Sequence, residues 1–438
     1  MRFGSLDLQT IASGDYREPA GGERIDELTG NGPMIARGAG VSYVAASFGE
    51  RTRSIGMRRL NRVVHFEPNA KRVTVEAGMS LGALYDHLLP HRLYLPIQPG
   101  HPQISVGGCV ACNVHGKNPY RNGVFADVVE RLELFHPDHG VMTLSREEHA
   151  DTFELTCGGF GLTGIILTVT LRLADLPGSV VAVRKVPVRN LEDACEQLME
   201  MKSRYDFVYT WNDLSRFDRR MGRGFVSGGR FVTAAPLSVE PPPPYHPLDP
   251  TPGARRWRPR LFHPRTIPWA SRIGFMWQML RPTEELSLYQ VMYPGVRWAF
   301  YYDLYGPAGF LAHMVLLPDD RWRGYVQKLE GILRAHREPI FCASMKAFAG
   351  TQRLLRFDGT GVSMHFHIPN TQGGRRLAAA MEELSREFNV IRTIYFDSRL
   401  SASAARSLYP EYDTFKERLH RFDPKRRFES CLSQRLEL

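Results

Sequence analysis

Three glycine-bearing turns in the first 165 residues most limit what this chain can fold into: Arg37-Gly38-Ala39-Gly40-Val41-Ser42-Tyr43, Ser105-Val106-Gly107-Gly108, and Gly158-Gly159-Phe160-Gly161-Leu162-Thr163-Gly164-Ile165. Glycine lets backbone amides approach an anion with no Cβ in the way. A helical turn beginning at Gly107 would aim its free N–H groups at a pyrophosphate. One such turn is weak evidence, because glycine loops are common. Three in one strand-rich unit, with no Gly-x-Gly-x-x-Gly fingerprint, suggest a large dinucleotide held by several loops.

The same region carries a competing pattern, Cys109-x-x-Cys112-x-x-His115. It offers at most three metal ligands, whereas structural zinc takes four, usually from a second paired set. The remaining cysteines, at 157, 195, 342 and 431, are isolated. The phosphate reading is therefore favoured, and no metal is expected. Scattered cysteines in a chain of 438 residues also suggest reduced thiols and a cytoplasmic protein. The N-terminal stretch does not read as a signal peptide. No apolar run approaches the ~20 residues that span a bilayer.

The formal charge of +10 favours anionic partners, or is simply a solvated basic surface. A nucleic-acid binder would need basic clusters interleaved with aromatics, which the sequence lacks. Peripheral association with a membrane surface stays open.

The length suits roughly two domains. The first third alternates strands and turns. Met34-Ile35-Ala36 is a strand running into the first glycine loop, and RVVHFEP and RVTVEAG flank a turn at Asn69-Ala70 as a hairpin. Ser80 caps a helix with Leu81, Leu84, Leu88 and Leu89 on one face. A second hairpin turns at Pro137 to Gly140, and IILTVTLRL closes the unit. Beyond about residue 180, Asn190 caps an amphipathic helix. Residues 235–268 are too rich in proline for regular structure and read as a long loop and a candidate lid. YGPAGFLAHMVLLP, IFCASMKAFAG, VSMHFHIP and IRTIYFDSRL read as strands, with helices between them and a helical tail.

Several of these pieces, in order, carry a likeness: ARGAGVSY, PGHPQISVGGCVACNVHGKN, CGGFGLTGII, YGPAGFL, FDSR, LYP and DPKRRFES with its RLEL ending. The chain resembles the FAD-binding, PCMH-type flavoproteins of the p-cresol methylhydroxylase and vanillyl-alcohol oxidase kind, and within them the decaprenylphosphoryl-β-D-ribose oxidase branch, the flavoprotein subunit of a 2′-epimerase. The resemblance implies an α+β fold with a split FAD domain, residues 1–178 and 391–438, and an inserted antiparallel-sheet substrate domain at 179–390. By position, Arg37, Gly38, Ala39, Gly40, Val41, Ser42, Tyr43, Gly100, Ser105, Gly107, Gly108, Cys112, Asn113, His115, Gly116, Asn118, Gly161, Gly164 and Ile165 would line FAD. The first loop has neither His nor Cys, so the flavin is expected to be noncovalent.

The reaction implied is oxidation of a secondary CH–OH group of a sugar, free or carried on a polyprenyl phosphate, with hydride passing to flavin N5 and a base handling the hydroxyl proton. A partner reductase would complete an epimerisation. One position departs from the pattern. The oxidases of this branch carry a lysine immediately before Asp-Ser-Arg; here it is Phe396, which can neither donate nor accept a proton. Period-2 alternation puts Ser363, His365 and His367 on one sheet face, and Lys346 with Ser344. His365 or His115 is the expected base, and Lys346 the group that orients the substrate; a merely solvated histidine face competes with this. Ala312 and Met314 replace a polar pair, making that wall more apolar. Trp211, Trp257 and Trp269 are candidates to pack against a lipid tail, or simply anchor core and loops. Aldonolactone oxidation, reduction of a carbon–carbon double bond, and a flavin-retaining protein without turnover are the rival readings. The electron acceptor and oligomeric state are not legible.

Overall fold

A computed structural model describes residues 1–19, 25–30, 32–233, 258–296 and 301–438. Most of the proline-dense stretch, with Trp257, lies outside the described residues. Two sheet systems carry the chain. In the N-terminal region, Met34–Arg37 and Asp15–Arg17 pair in parallel with Arg53–Gly56. Beside them stands a five-stranded antiparallel sheet in the order Gly140–Ser145, Val129–His136, Ile165–Arg172, Arg72–Glu76, Val63–Glu67. Both expected hairpins are present; Lys71 and Gly140 supply the positive φ that their tight turns need. Helix Leu81–Leu88 starts at Ser80, whose hydroxyl accepts from Ala83 N–H, and buries Leu81, Leu84 and Leu88 as the spacing required.

The second system is an eight-stranded sheet in the order Thr283–Ser287, Val180–Val188, Gly224–Phe231, Phe207–Leu214, Ile340–Phe348, Gly361–Pro369, Phe310–Leu317, Ile391–Arg392. Helices Leu191–Met201, Trp322–His336 and Gln372–Glu387 cover one face. Their apolar stripes meet Met345, Met364 and Phe366 in a dry core. The opposite face presents Lys346, Ser363, His365, His367, Ala312 and Met314, because alternate residues must point to opposite sides of a strand.

The chain's last stretch returns to its beginning. Phe428 bridges Met34, Glu429 N–H donates to Met34, and Cys431 N–H donates to Phe48. Leu432, Leu436 and Leu438 share a core with Ile35, Val44 and Leu162. IRTIYFDSRL does not form the long strand expected of it. Pairing ends at Arg392, and the chain turns at Ile394 to Arg399. The cause is Asp397, fully buried, which accepts from Arg392 at 2.5 Å and from Arg399 N–H at 3.0 Å. A turn brings those donors to one carboxylate, and an extended strand would not.

Candidate active site

The first glycine loop sits against the start of helix Val106–Cys112. A Cβ on Gly38 would lie 3.1 Å from Ser105 Cβ. The third loop closes on the same region: Gly158 and Phe160 donate to Val110 and Ala111, and a Cβ on Gly161 would meet only Ile35. Among the described residues, the main-chain N–H groups of Gly38, Ala39, Gly40, Val41 and Ser42 donate to no protein acceptor. Five successive amides free of protein acceptors are donors available to an anion. Gly108 and Gly100 add open walls, since a Cβ on either would meet only Ser105 Oγ or Lys117 Nζ.

This arrangement corrects two sequence expectations. The turn at Gly107 does not aim free N–H groups at a phosphate: Val106 and Gly107 donate to Met79 and Ala77, and Gly108 donates to Ser105 Oγ. Gly107 is needed because a Cβ would lie 2.9 Å from that of Ala77. The free amides belong to the first loop instead. The Arg37 side chain is held within the fold. Its guanidinium donates to Ser47 Oγ at 2.9 Å, lies over Phe3 and Phe48, and occupies the space beneath Gly40.

The remaining residues sort by what they touch. Ala39 C=O accepts from Arg58 and Ser42 C=O from Leu6 N–H, fixing the loop from behind. Cys112 packs toward the C-terminal core while Cys109 is buried in another, and burial pushes both thiols up, Cys112 to about 12. Asn113, with positive φ, accepts from Ala126 N–H and leaves Nδ2 buried and unpartnered. Asn118 donates to Lys202 and Tyr205, which ties the His115 loop to the larger sheet. Gly164 abuts Phe135 C=O, and Ile165 is core.

Lys346 and His115 meet where the two sheet systems face each other. Lys346 Nζ donates to Gly116 C=O at 3.0 Å. His115 Nδ1 lies 2.9 Å from the Tyr395 hydroxyl, its ring against Phe348. Sequence reasoning passed over Lys117, whose only signal was its place beside His115-Gly116. It is buried near Gly100, and burial lowers its ammonium to about 8. Burial, then Lys117, holds Lys346 well below the usual lysine range. Among the described residues neither lysine has a carboxylate partner. Two amines without one, Lys117 buried and Lys346 half-buried, make a site suited to an anion, whose charge would favour their protonated forms.

His365 stands opposite Ser344 on one neighbouring strand and Met314 on the other. Its ring meets His367 edge-on at 4.4 Å and Phe396 at 4.3 Å. Burial, then Lys346, lowers it to about 3, so the ring is neutral at pH 7. The Nε2 atoms of His365 and His367 are both buried without a partner. His367 Nδ1 is taken by the Tyr301 hydroxyl at 2.7 Å. Phe396 lies 4.0 Å from the ring of Tyr43, the last residue of the first glycine loop, and stacks on His367. Thus the amide cradle, the lysines and the histidine face border one region. Trp211 is stacked on Phe225 within the fold, while Trp269 is exposed. Among the described residues no three His, Cys, Asp or Glu side chains gather as a metal site.

A family described as "FAD binding domain" matches residues 29–145, which span the first two glycine loops. Decaprenylphosphoryl-beta-D-ribose oxidase of Mycolicibacterium smegmatis is 27% identical over 95% of this chain and 91% of its own length. This chain carries an FAD-binding domain. The free amides, open glycine faces and unpaired lysines suit the diphosphate and the ring of that cofactor. Other flavoproteins match locally. Mouse L-gulonolactone oxidase is 35% identical over 27% of each chain, and the mitochondrial cytochrome-linked D-lactate dehydrogenase of Arabidopsis thaliana is 33% identical over 32% of this chain and 26% of its own. These relatives are named as oxidases and a dehydrogenase, and with its FAD-binding domain this chain is an FAD-dependent oxidoreductase. No helix among its described residues is long and apolar enough to cross a membrane.

Proposed function

We propose that the chain oxidises a secondary CH–OH group of a phosphosugar carried on a polyprenyl chain. The observation that carries this reading is the pairing of two carboxylate-free lysines, the buried Lys117 and the half-buried Lys346, with a neutral, unpartnered imidazole Nε2 on the strand next to that of Lys346. The full-length likeness to an enzyme named for a decaprenylphosphoryl ribose supports it. Residues 1–178 and 391–438 then form one cofactor unit, with 179–390 inserted. The amides of Gly38 to Ser42 would hold the diphosphate, with Ser105, Gly108, Gly161 and Asn113 Nδ2 around it. Bound FAD, without a covalent link, supplies the hydride acceptor.

The protein's own groups do the rest. His365 Nε2 accepts the hydrogen bond of the reacting hydroxyl, which is open to it because burial keeps the ring neutral. Lys346 and Lys117 hold the substrate's anionic group and offset negative charge that develops during oxidation. Tyr395 fixes the tautomer and plane of His115, which stands beside the lysines as the second candidate base. Phe396, Ala312 and Met314 form an apolar wall that excludes water where the other oxidases of the branch are more polar. A separate reductase would return the keto product to the epimeric alcohol.

Anaerobic mixing of the FAD-loaded protein with a polyprenyl phosphoribose tests the reading. It should bleach the visible flavin bands, and His365→Ala should slow bleaching by about 100-fold or more, the usual size of a general-base contribution. Unbleached flavin with this substrate and with free aldoses would refute it. Bleaching by an aldonolactone alone would move the protein to the lactone oxidases.

A further inference from the structure

Helix Ile267–Met279 has two apolar sides, and only one is used. Ile267 and Ser271 are fully buried, and Ile267 and Ala270 pack in the cluster that holds Phe396, Met314 and Phe348. Phe275 stacks toward Trp211 beneath Arg223. On the outer side Trp269, Ile273, Met276 and Leu280 are 66%, 66%, 57% and 79% exposed, at spacings of four, three and four residues. That is a continuous stripe along one helix face. Large exposed apolar side chains are otherwise scattered singly over the described surface; six of the ten lie between Leu261 and Leu280. A concentrated patch of this kind marks an interaction surface.

Charge selects the partner. Between Asp249 and Glu284 the sequence has no Asp or Glu and seven arginines. Arg260, Arg265, Arg272 and Arg281 are exposed beside or along the stripe. A second copy of the chain fits poorly, since a two-fold pairing of this face would set like charges together. An amphipathic helix with an outward Trp and an arginine border fits the interface of an anionic bilayer.

We propose that helix Ile267–Met279 docks this protein on anionic phospholipid surfaces, with Trp269, Ile273, Met276 and Leu280 entering the headgroup boundary. The inner side of the helix belongs to the same cluster as Phe396. The docked face is therefore about one helix diameter, roughly 10 Å, from the candidate active site. If the proposed function holds, and this consequence rests on it, a lipid-linked substrate reaches the site without leaving the bilayer.

Flotation of the full-length, FAD-loaded protein with vesicles tests the docking. Phosphatidylcholine vesicles containing phosphatidylglycerol should carry the protein up, pure phosphatidylcholine far less, and added salt should release it. The triple variant Trp269→Glu, Ile273→Glu, Leu280→Glu alters exposed side chains only, so it should keep its fold and flavin. Its bound fraction should fall at least tenfold. Equal flotation of parent and variant, or none by the parent, overturns the proposal. So does a dimer of the parent that the variant breaks while neither floats, because the face would then be an interface between copies. A parent that floats but never bleaches with sugar substrates leaves docking standing and removes the function. One that bleaches with a short-chain phosphosugar yet ignores vesicles does the reverse.

Discussion

Gly38→Ala probes the contact on which the amide cradle depends. The added methyl would sit 3.1 Å from Ser105 Cβ and overlap the Ser105 hydroxyl, which accepts from Gly108 N–H at 3.3 Å. Comfortable carbon–carbon contact is about 3.5–4.0 Å. Either Ser105 rotates off its cap, or the first loop lifts from the helix by several tenths of an ångström or more. Losing an N-cap costs about 1 kcal/mol. A hydrogen bond to a charged group that is lost as the loop lifts is worth about 1.5–3 kcal/mol. A lifted loop therefore predicts a loss of about 1.5–3 kcal/mol in FAD affinity, roughly 10- to 150-fold in Kd. Flavin-fluorescence titration of the apoprotein measures it. Ser105→Gly alone should cost only a few tenths of a kcal/mol in capping. Combined with Gly38→Ala it removes the overlap, so the double variant should bind FAD more tightly than Gly38→Ala alone. A Gly38→Ala protein that binds like the parent, or a double variant no better than the single, would show that this contact does not shape the cofactor site.

Further outcomes follow from the same geometry. Lys346→Met should leave the empty protein as stable as the parent or more so, because it replaces a half-buried amine that has no carboxylate partner with an apolar side chain of similar length, yet raise KM for a phosphorylated substrate at least about tenfold; unchanged KM would take Lys346 out of substrate binding. Phe396→Lys should cost about 3 kcal/mol or more in chemical denaturation, through lost packing and a further buried cation, and lower turnover. A rise in turnover would mean that the phenyl ring is a loss and not part of the pocket. Acid should destabilise the protein before its carboxylates neutralise. His115, His313, His365 and His367 are all held by burial below the ordinary 6.5, His313 to about 4 and His365 to about 3. Between about pH 6.5 and 4 the unfolded chain binds protons that these rings refuse. Stability therefore falls as pH drops, by up to about 1.4 kcal/mol per pH unit for each ring. Asp7 and Asp358, raised by burial to about 6, act in the opposite direction but are outnumbered. Melting temperatures that stay level from pH 7 to pH 5 would refute this. After acid precipitation the yellow colour should remain in the supernatant; colour in the pellet would mean a covalent flavin.

Hairpins, caps and sheet faces were legible in the sequence because each follows from a local rule. Ser80 and Asn190 cap as their spacing demanded. The two-residue period placed Ser363, His365 and His367 on one face and Met364 and Phe366 in the core behind it. What escaped depends on partners far along the chain. Nothing near Gly107 announces that its amide goes to Ala77. Arg37 reads as a cofactor residue until Phe3 and Phe48 stand around it. Arg392 and Asp397 convert an apparent strand into a turn, and Asn118 spends its amide on a loop some 85 residues on. Lys117 drew no notice because a lone lysine is ordinary until its neighbours bury it. The helix at Ile267–Met279 was masked by the prolines before it, although Pro268 in the first turn is well suited to starting a helix.

The most direct test of the central claim is a titration of the purified apoprotein with FAD, followed by its visible spectrum. Uptake of one flavin per chain, with shifted and structured absorption bands that Gly38→Ala weakens, is the expected result. A protein that stays colourless after mixing and desalting would contradict the whole assignment of these loops.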